Sequence, residues 1–154
     1  MRIIFLTLGL ALIWVTSASQ PAIGAESQIA ALVTRVIDGD TIEVEAMPWP
    51  GMRIDARIRL PDIQAPETFR PACEAERQRG EAATRWLRDR VEGQTVWLTN
   101  VRPGKYGGRF IAEVHDGRGD LATALVTAGI AEPWDGRTST KPQFCQVSAR
   151  HLVE

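Results

Sequence analysis

The chain has 154 residues, 18 of them basic and 19 acidic, which gives a formal net charge of −1 at pH 7. This length favours a single domain with one hydrophobic core. The near-neutral balance argues against a protein that holds nucleic acid through overall positive charge, so any site for a polyanion must be a local patch.

Residues 1–25 have the layout of a secretory signal peptide. A positive start at Arg2 precedes an apolar run from Ile3 to Val15, and a stretch of mostly small and polar residues ends at Ala25. We therefore predict a secreted or periplasmic protein that is cleaved after about Ala25. An uncleaved N-terminal anchor is the alternative, although the apolar run is short for a membrane span. Cleavage removes Arg2 and leaves 17 basic and 19 acidic residues, a net charge of −2.

A tight acidic turn over residues 37–41 joins the first two predicted strands. Residues 29–36 are rich in apolar and β-branched side chains, and residues 41–45 alternate between polar and apolar, as half-buried strands do. Asp-Gly between two strands favours a hairpin because glycine tolerates positive φ. Taken alone, this stretch is a turn and nothing more. Trp49, in the turn-rich stretch that follows, is expected to pack on the wall of the fold.

Three further strands and two helices are predicted after the hairpin. Apolar alternation and clustering place strands at residues 53–60, 94–99 and 109–115. A long helix is predicted over residues 74–91, and a short helix over residues 120–129, with Asp120 as its N-cap and Gly129 at its end. The apolar stripe of the long helix is formed by Ala75, Ala82, Ala83, Trp86, Leu87 and Val91.

These elements predict an α+β fold: a five-stranded β-barrel of the OB type, with one long helix after strand three and a short C-terminal helix. Residues 26–134 would form this domain, and residues 135–154, with weak periodicity, would form a tail tied to it. An even cysteine count in an exported protein favours a disulfide between Cys73 and Cys145. Two unpaired thiols are the alternative.

Polar residues near the strand ends predict a site at one mouth of such a barrel. Asp40 starts strand two, Arg59 lies at the end of strand three, and Arg109 starts strand five, with Gln64 and Glu67 in the loop after strand three. Oxygen ligands hold a hard cation, arginine binds phosphate bidentately, and a carboxylate can act as general base on water. This combination favours phosphoryl chemistry. Purely structural surface roles for Arg59, Glu67 and Arg109 are the alternative.

Four segments, in order along the chain, resemble the staphylococcal nuclease (thermonuclease) family. They are residues 36–41, 58–67, 105–109 and 124–131, and the resemblance covers about residues 30–134. Each motif alone is weak, whereas the ordered set is specific. The resemblance implies an OB-fold barrel and calcium-dependent hydrolysis of DNA and RNA.

Carried over position by position, the resemblance implies roles for five residues. Asp40 falls on the metal-ligand aspartate, and Thr41 on the residue whose backbone carbonyl binds the metal. Arg59 and Arg109 fall on the two phosphate-binding arginines. Glu67 falls on the glutamate usually drawn as general base, a role that is disputed.

The chain departs from the family pattern in three places. Gln64 stands where the family usually has a second metal-ligand aspartate, which predicts a weakened calcium site with Asp62, or Asp38 through a water, as a candidate substitute. Glycines at 107–108 make the turn before strand five one residue longer than the commonest form. The C-terminal part lacks the long last helix and the tyrosine-rich loop of the type member.

Two loop residues and two histidines complete the candidates. Lys105 and Tyr106 are predicted to contact substrate, through phosphate or by stacking on a base, and a plain loop role is about as well supported. His115 is predicted to lie on the surface, away from Arg109, and His151 is assigned no role.

We therefore predict a monomeric, exported, metal-dependent nuclease acting on DNA, RNA or both, without stable membrane insertion after signal cleavage. The rival is a catalytically degenerate OB-fold module that binds nucleic acid or protein without cutting it. Gln64 and the acidic net charge favour the rival. The enzyme is favoured by four residues that a binding module does not require together: Asp40, Arg59, Glu67 and Arg109.

Overall fold

The computed structural model describes residues 28–145. The predicted signal peptide, residues 146–154 of the predicted tail, and His151 lie outside the described residues. The elements are β1 (Ile29–Asp38), β2 (Thr41–Trp49), β3 (Met52–Arg59), β4 (Ile63–Gln64), α1 (Glu74–Val91), β5 (Thr95–Pro103), β6 (Arg109–His115), α2 (Leu121–Thr127), β7 (Glu132–Pro133) and a 3₁₀ turn at Thr138–Thr140. Within residues 28–145, no helix has the length and apolar character needed to cross a membrane.

Five strands form a closed barrel in the order β1-β2-β3-β6-β5. Neighbouring strands run antiparallel except β3 and β6, which run parallel. The long helix α1 follows β3 and the short β4 in the chain, and α2 follows β6, so the predicted α+β barrel with a long and a short helix is confirmed. The two-residue strands β4 and β7 pair separately and were not predicted, since so short a segment carries no alternation.

One hydrophobic core fills the barrel and extends under both helices. Its largest fully buried side chains are Val33, Ile42, Val44, Ile58, Leu60, Leu87, Val91, Val96, Leu98, Val114, Leu121 and Leu125. Burying an aliphatic side chain of this size contributes about 1.5–3 kcal/mol relative to leaving it exposed. This core provides a rigid frame for the polar residues at the strand ends.

Helix α1 has the predicted bounds, but its inner face differs from the predicted stripe. Ala75 and Ala82 are exposed. The buried positions of the helix are Glu76, Gly80, Ala83, Leu87 and Val91. The prediction was wrong in these places because alanine fits either face of a helix, whereas a glutamate and a glycine do not look like core residues.

Two local expectations in the first hairpin are also wrong. Trp49 is the last residue of β2 and is 71% exposed, so it does not pack on the barrel wall. Gly39 is not among the residues with positive φ. A Cβ atom at position 39 would instead lie 2.6 Å from the Cβ of Ala83 and 2.7 Å from that of Ala65. Close approach of α1 and the β4 region therefore requires this glycine.

The segment after β7 folds back onto the domain. Cys73 and Cys145 form a disulfide, the pairing that the sequence predicts, with their Cα atoms 5.9 Å apart. Phe144 is buried, and its carbonyl accepts a hydrogen bond of 3.2 Å from the Arg79 guanidinium of α1. The described part of the tail is thus attached to α1 both covalently and by packing.

Candidate functional site

A pocket of about 210 Å³ lies at the barrel end where β2 begins and β3 ends. We call it the Asp40 pocket, and it is lined by Asp38, Asp40, Thr41, Arg59, Gln64, Ala65, Pro66, Glu67, Arg109, Trp134 and Lys141. Strand register explains how distant residues meet there, since Thr41 pairs with Arg59 across β2–β3 and Arg57 pairs with Arg109 across β3–β6. The three predicted catalytic residues and the three predicted metal ligands therefore share one pocket.

Asp40 is buried and held from several directions. Its Oδ1 accepts a hydrogen bond of 3.0 Å from the Thr41 hydroxyl and contacts the Arg59 guanidinium. Its Oδ2 accepts one of 3.0 Å from the backbone N–H of Ala65. These contacts fix the orientation of the Asp40 carboxylate.

Arg59 bridges Asp40 and the strand β4. Its Nη2 donates to the carbonyl of Ile63 at 3.0 Å and to Oε1 of Gln64 at 3.2 Å. The Gln64 amide in turn donates to the carbonyl of Ala65 at 2.8 Å. These contacts orient the Gln64 amide oxygen, which carries no charge, beside the guanidinium of Arg59.

Arg109 opens β6 despite the extra glycine in the preceding turn. The turn closes through bonds from the N–H of Arg109 to the carbonyl of Tyr106 (3.1 Å) and from the N–H of Arg57 to the carbonyl of Gly108 (3.1 Å). Gly108 adopts positive φ and takes up the added residue. Within residues 28–145, the Arg109 guanidinium makes no hydrogen bond or ion pair, so its charge is available to an anion.

Glu67 lies in the loop between β4 and α1. One of its carboxylate oxygens accepts bonds of 3.0 Å from the backbone N–H groups of both Thr68 and Phe69. The loop rests directly on α1, because a Cβ on Gly80 would lie 2.7 Å from the carbonyl oxygen of Pro66. The carboxylate is therefore oriented by its own loop, and the loop is fixed by the helix.

Glu76 is a functional candidate that the sequence analysis missed. It is a buried acid on α1, 7% exposed, whose carboxylate accepts from the N–H of Ala72 at 2.6 Å and from that of Glu67 at 3.4 Å. It thus ties together both ends of the loop that carries Glu67. Its sequence signal was weak, since an acid in the first turn of a helix usually faces solvent near the positive end of the helix dipole.

Asp38 adds a carboxylate to the Asp40 pocket. Its Oδ1 accepts from the N–H of Asp40 at 3.2 Å. Burial, followed by repulsion from the neighbouring Asp40 carboxylate, raises the pKa of Asp38 to about 6. Asp62, the other suggested substitute ligand, does not line this pocket.

The side-chain oxygens in the Asp40 pocket fit a hard divalent cation, but they would bind it only weakly. The carboxylates of Asp38 and Asp40 and the amide oxygen of Gln64 are the ligand types that calcium prefers, and a cation between the two carboxylates would relieve their repulsion. Within residues 28–145, however, no group of three His, Cys, Asp or Glu residues could hold a metal ion. A cation here would also need backbone and water oxygens.

Lys105 and Tyr106 lie outside the Asp40 pocket, in an adjoining one. This second pocket of about 440 Å³ shares Arg59, Arg109 and Trp134 with the first. The Lys105 ammonium lies 5.6 Å from the centre of the Tyr106 ring. The two predicted substrate contacts are therefore next to the predicted phosphate-binding arginines.

Trp134 and Lys141 also line the Asp40 pocket and were not singled out from the sequence. The backbone N–H of Trp134 donates to the carbonyl of Asp62 at 2.9 Å, which holds the start of the tail beside β4. No periodicity marks this segment. His115 lies at the other end of β6, in a different pocket with Glu113, so no part of the site uses it.

Residues 57–150 match the model of a protein family described as "Staphylococcal nuclease homologue". The chain belongs to the staphylococcal nuclease family. The match includes Arg59, Glu67 and Arg109, whereas Asp40 precedes it. The closed barrel joins the two parts, because β1 and β2 complete the sheet formed by the matched strands.

Two curated proteins that are similar to this chain carry the name "Uncharacterized endonuclease". They come from Escherichia coli and Escherichia coli O157:H7, and each is 35% identical to this chain over 100 residues. The matched segment covers 64% of this chain and 57% of each relative. The chain thus spans little more than half the length of these relatives.

Proposed function

We propose that this chain is an exported, metal-dependent nuclease that hydrolyses phosphodiester bonds in DNA, RNA or both. The observation that carries the proposal is that Asp40, Arg59, Glu67 and Arg109 line one pocket. Binding alone requires positive charge and stacking surfaces, but not two fixed carboxylates beside two arginines. The family membership and the printed name of the two relatives support the same conclusion.

The chain's own residues would divide the reaction among them. Arg59 and Arg109 bind the scissile phosphate and stabilise the charge that develops on its non-bridging oxygens. Glu67, oriented by two backbone N–H groups, positions a water molecule and accepts its proton. The water oxygen bonds to phosphorus while the bond to the leaving oxygen breaks. A proton passes to the leaving oxygen, and the products are a phosphate monoester and a hydroxyl.

Asp40, the backbone carbonyl of Thr41 and Gln64 are the residues we propose to hold calcium. When bound, calcium supplies positive charge that polarises the phosphoryl group. Because Gln64 brings no charge, we expect binding at roughly millimolar concentration, as in weak extracellular calcium modules. Asp38, with its carboxyl group in the same pocket, is the substitute we favour for the missing acidic ligand.

Export is part of the proposal. The Cys73–Cys145 disulfide is of a kind that persists in oxidising compartments, and the predicted signal peptide provides the route there. Mass spectrometry of the exported protein should find a chain that begins at about Glu26. A chain that retains residues 1–25 would instead support the N-terminal anchor.

The alternative function is a degenerate OB-fold module that binds nucleic acid or protein. The contact between Arg59 and Asp40 favours it, because a guanidinium then occupies the carboxylate proposed for calcium. The absence of charge on Gln64 favours it as well.

Cleavage assays separate the two functions. The mature chain, residues 26–154, is incubated with supercoiled plasmid and with RNA, in calcium or in excess chelator, beside an identically purified Arg109→Ala variant. We expect cleavage only with calcium, and only by the unaltered chain. Equal cleavage in chelator would remove the metal from the proposal. Tight nucleic-acid binding without any cleavage would favour the binding module.

A further inference from the structure

Phe69 is the most exposed large apolar side chain in the described part of the chain, at 82% exposure. It lies two residues after Glu67, and its backbone N–H donates to the Glu67 carboxylate at 3.0 Å. Burying a phenyl ring is favourable relative to leaving it in water, so a ligand that covers an exposed ring gains this free energy. The exposed ring is thus linked, through its backbone N–H, to Glu67, which lines the Asp40 pocket.

The loop presents Phe69 in a fixed place. Glu76 accepts hydrogen bonds from both Glu67 and Ala72, one on each side of Phe69 along the chain. The next residue, Cys73, is bound to Cys145. A side chain on a loop tied at both ends can bind a ligand with little additional loss of conformational freedom.

Two loops each carry an exposed aromatic ring with a cation beside it. The guanidinium carbon of Arg70 lies 5.5 Å from the centre of the Phe69 ring, and the Lys105 ammonium lies 5.6 Å from the centre of the Tyr106 ring. Tyr106 is 61% exposed, and its carbonyl accepts from the N–H of Arg109. The backbone of each aromatic residue is thus hydrogen-bonded to a residue of the Asp40 pocket: Phe69 to Glu67, and Tyr106 to Arg109.

We propose that Phe69 and Arg70 bind an unpaired nucleobase of the substrate strand, next to the phosphate held in the Asp40 pocket. The proposal rests on the proposed nuclease function and adds to it a base-binding contact on the β4–α1 loop. Every base has a flat π-face that stacks on an aromatic ring, and arginine beside the ring adds a cation–π contact and attraction for phosphate. In a duplex these faces are covered by neighbouring base pairs, so only an unpaired strand can offer them.

The test compares three substrates of equal length: a single strand, the same sequence as a duplex, and a single strand of abasic sugar-phosphate units. Phe69→Ala keeps the backbone N–H that orients Glu67 and removes only the ring. Stacking of one base on an aromatic side chain is worth about 5- to 140-fold in binding. We expect Phe69→Ala to lower kcat/KM for the base-bearing single strand by that factor relative to the abasic strand, mainly through KM.

Two further variants control for loss of an exposed ring. Phe69→Tyr should restore the preference for base-bearing single strands, since it keeps an aromatic face. Trp49→Ala removes another ring, 71% exposed at the end of β2, and should leave all three rates unchanged. An equal loss on base-bearing and abasic strands in Phe69→Ala, or no loss on either, would overturn the proposal.

A binding measurement keeps this proposal separate from the nuclease function. If the unaltered chain cleaves none of the three substrates, the nuclease function fails. Equilibrium binding of the fluorescein-labelled single strand, in chelator, then tests Phe69 directly. Weaker binding by Phe69→Ala than by Trp49→Ala would support base stacking without catalysis, and equal affinities would exclude it.

Discussion

At the scale of single residues, Arg59 and Arg109 line the same pocket but are held differently. Arg59 contacts the Asp40 carboxylate and donates to two oxygens near β4, whereas within residues 28–145 the Arg109 side chain has no hydrogen-bonding partner. Arg59 thus contributes to both the fold and the site. Within the same residues, no protein group pairs with the charge of Arg109, which is the basis of the role proposed for it.

Replacing these two arginines should therefore give different results. Arg109→Ala should lower kcat about 100- to 1,000-fold, the usual cost of removing one preorganised donor, with little effect on stability. Arg59→Ala should lower kcat as much and also cost about 1–3 kcal/mol in the free energy of unfolding, because the buried Asp40 loses a partner. Initial rates and urea unfolding measure the two quantities.

The matched control is Arg57→Ala. Arg57 pairs with Arg109 in the β3–β6 register but bonds to Glu43 on an exposed face. The Arg57→Ala substitution should change kcat and the free energy of unfolding very little, as is usual when an exposed ion pair is removed. A folded Arg109→Ala variant with near-normal kcat would exclude that arginine from the mechanism.

Gln64 should limit the affinity for calcium. Converting Gln64→Asp adds a negative charge beside Asp40 and should lower the calcium concentration for half-maximal activity. Asp40→Ala should abolish the response to calcium. Calcium titrations of the cleavage rate and calorimetry provide the measurements, with Gln78→Asp, on the exposed face of α1, as the control for added charge. Unchanged calcium dependence in Gln64→Asp would show that this position is not a ligand.

The sequence predicts the residues at strand ends well and those brought in by tertiary contacts poorly. Asp40, Arg59 and Arg109 follow from strand boundaries, which apolar alternation marks clearly. Glu76 was missed because the spacing of residues along α1 does not show that the β4–α1 loop folds over this position. Lys141 was missed because nothing local indicates that the tail returns to the pocket.

At the scale of elements, the loop between β4 and α1 depends on one buried acid. Glu76→Ala would leave the N–H groups of Ala72 and Glu67 without their acceptor. Since a displacement of about 1 Å in a catalytic group can cost about 100-fold, we expect kcat to fall by up to that factor while KM for a short strand changes little. Glu76→Gln, which keeps one acceptor oxygen, should recover part of the rate. A rate equal to wild type in Glu76→Ala would show that the loop holds Glu67 without this contact.

A second buried carboxylate joins α1 to the turn after β6. Asp116 bonds to the Arg90 guanidinium at 2.7 Å and to Arg118. Burial would raise the pKa of Asp116, but the hydrogen bonds from Arg90 and from the Arg118 backbone outweigh it and lower that pKa to about 2. A lowered pKa means that the ionised form stabilises the fold.

This linkage predicts how stability depends on pH. With a pKa near 3.8 in the unfolded chain, Asp116 contributes about 2 kcal/mol above pH 5, and this contribution is lost as the pH falls towards 2. Asp116→Asn should therefore cost about 2 kcal/mol at pH 7 and much less at pH 2.5, as measured by urea unfolding. Asp55→Asn, on exposed β3, serves as the control. A penalty that does not vary with pH would contradict the assignment to charge.

Helix α1 illustrates which features of an element are visible in the sequence. The bounds predicted from the sequence, residues 74–91, agree with the structure. Its inner face does not follow from periodicity. A Cβ at position 80 would lie 2.7 Å from the carbonyl oxygen of Pro66, so this position requires glycine, and that contact depends on where the β4–α1 loop lies. Periodicity therefore predicts a helix better than it predicts what the helix touches.

At the scale of the whole molecule, the disulfide should be a major source of stability. It joins residues 72 positions apart, and closing a loop of that length is worth about 4 kcal/mol in the chain-entropy account, which is disputed. Reductant should lower the Tm of the unaltered chain and leave that of the Cys73→Ser/Cys145→Ser variant unchanged. If the unaltered chain and the double variant had the same Tm, with and without reductant, the tail would pack without the disulfide.

The disulfide also divides the chain into a covalent ring and an open segment before it. Lys105, Arg109 and Trp134 belong to the ring, whereas Asp40 and Glu67 precede it. A protease that cuts the exposed turn at residues 104–108 therefore opens the ring without releasing a fragment. Both halves of the Asp40 pocket stay in one molecule after such a nick, and they separate only when the cut chain is also reduced.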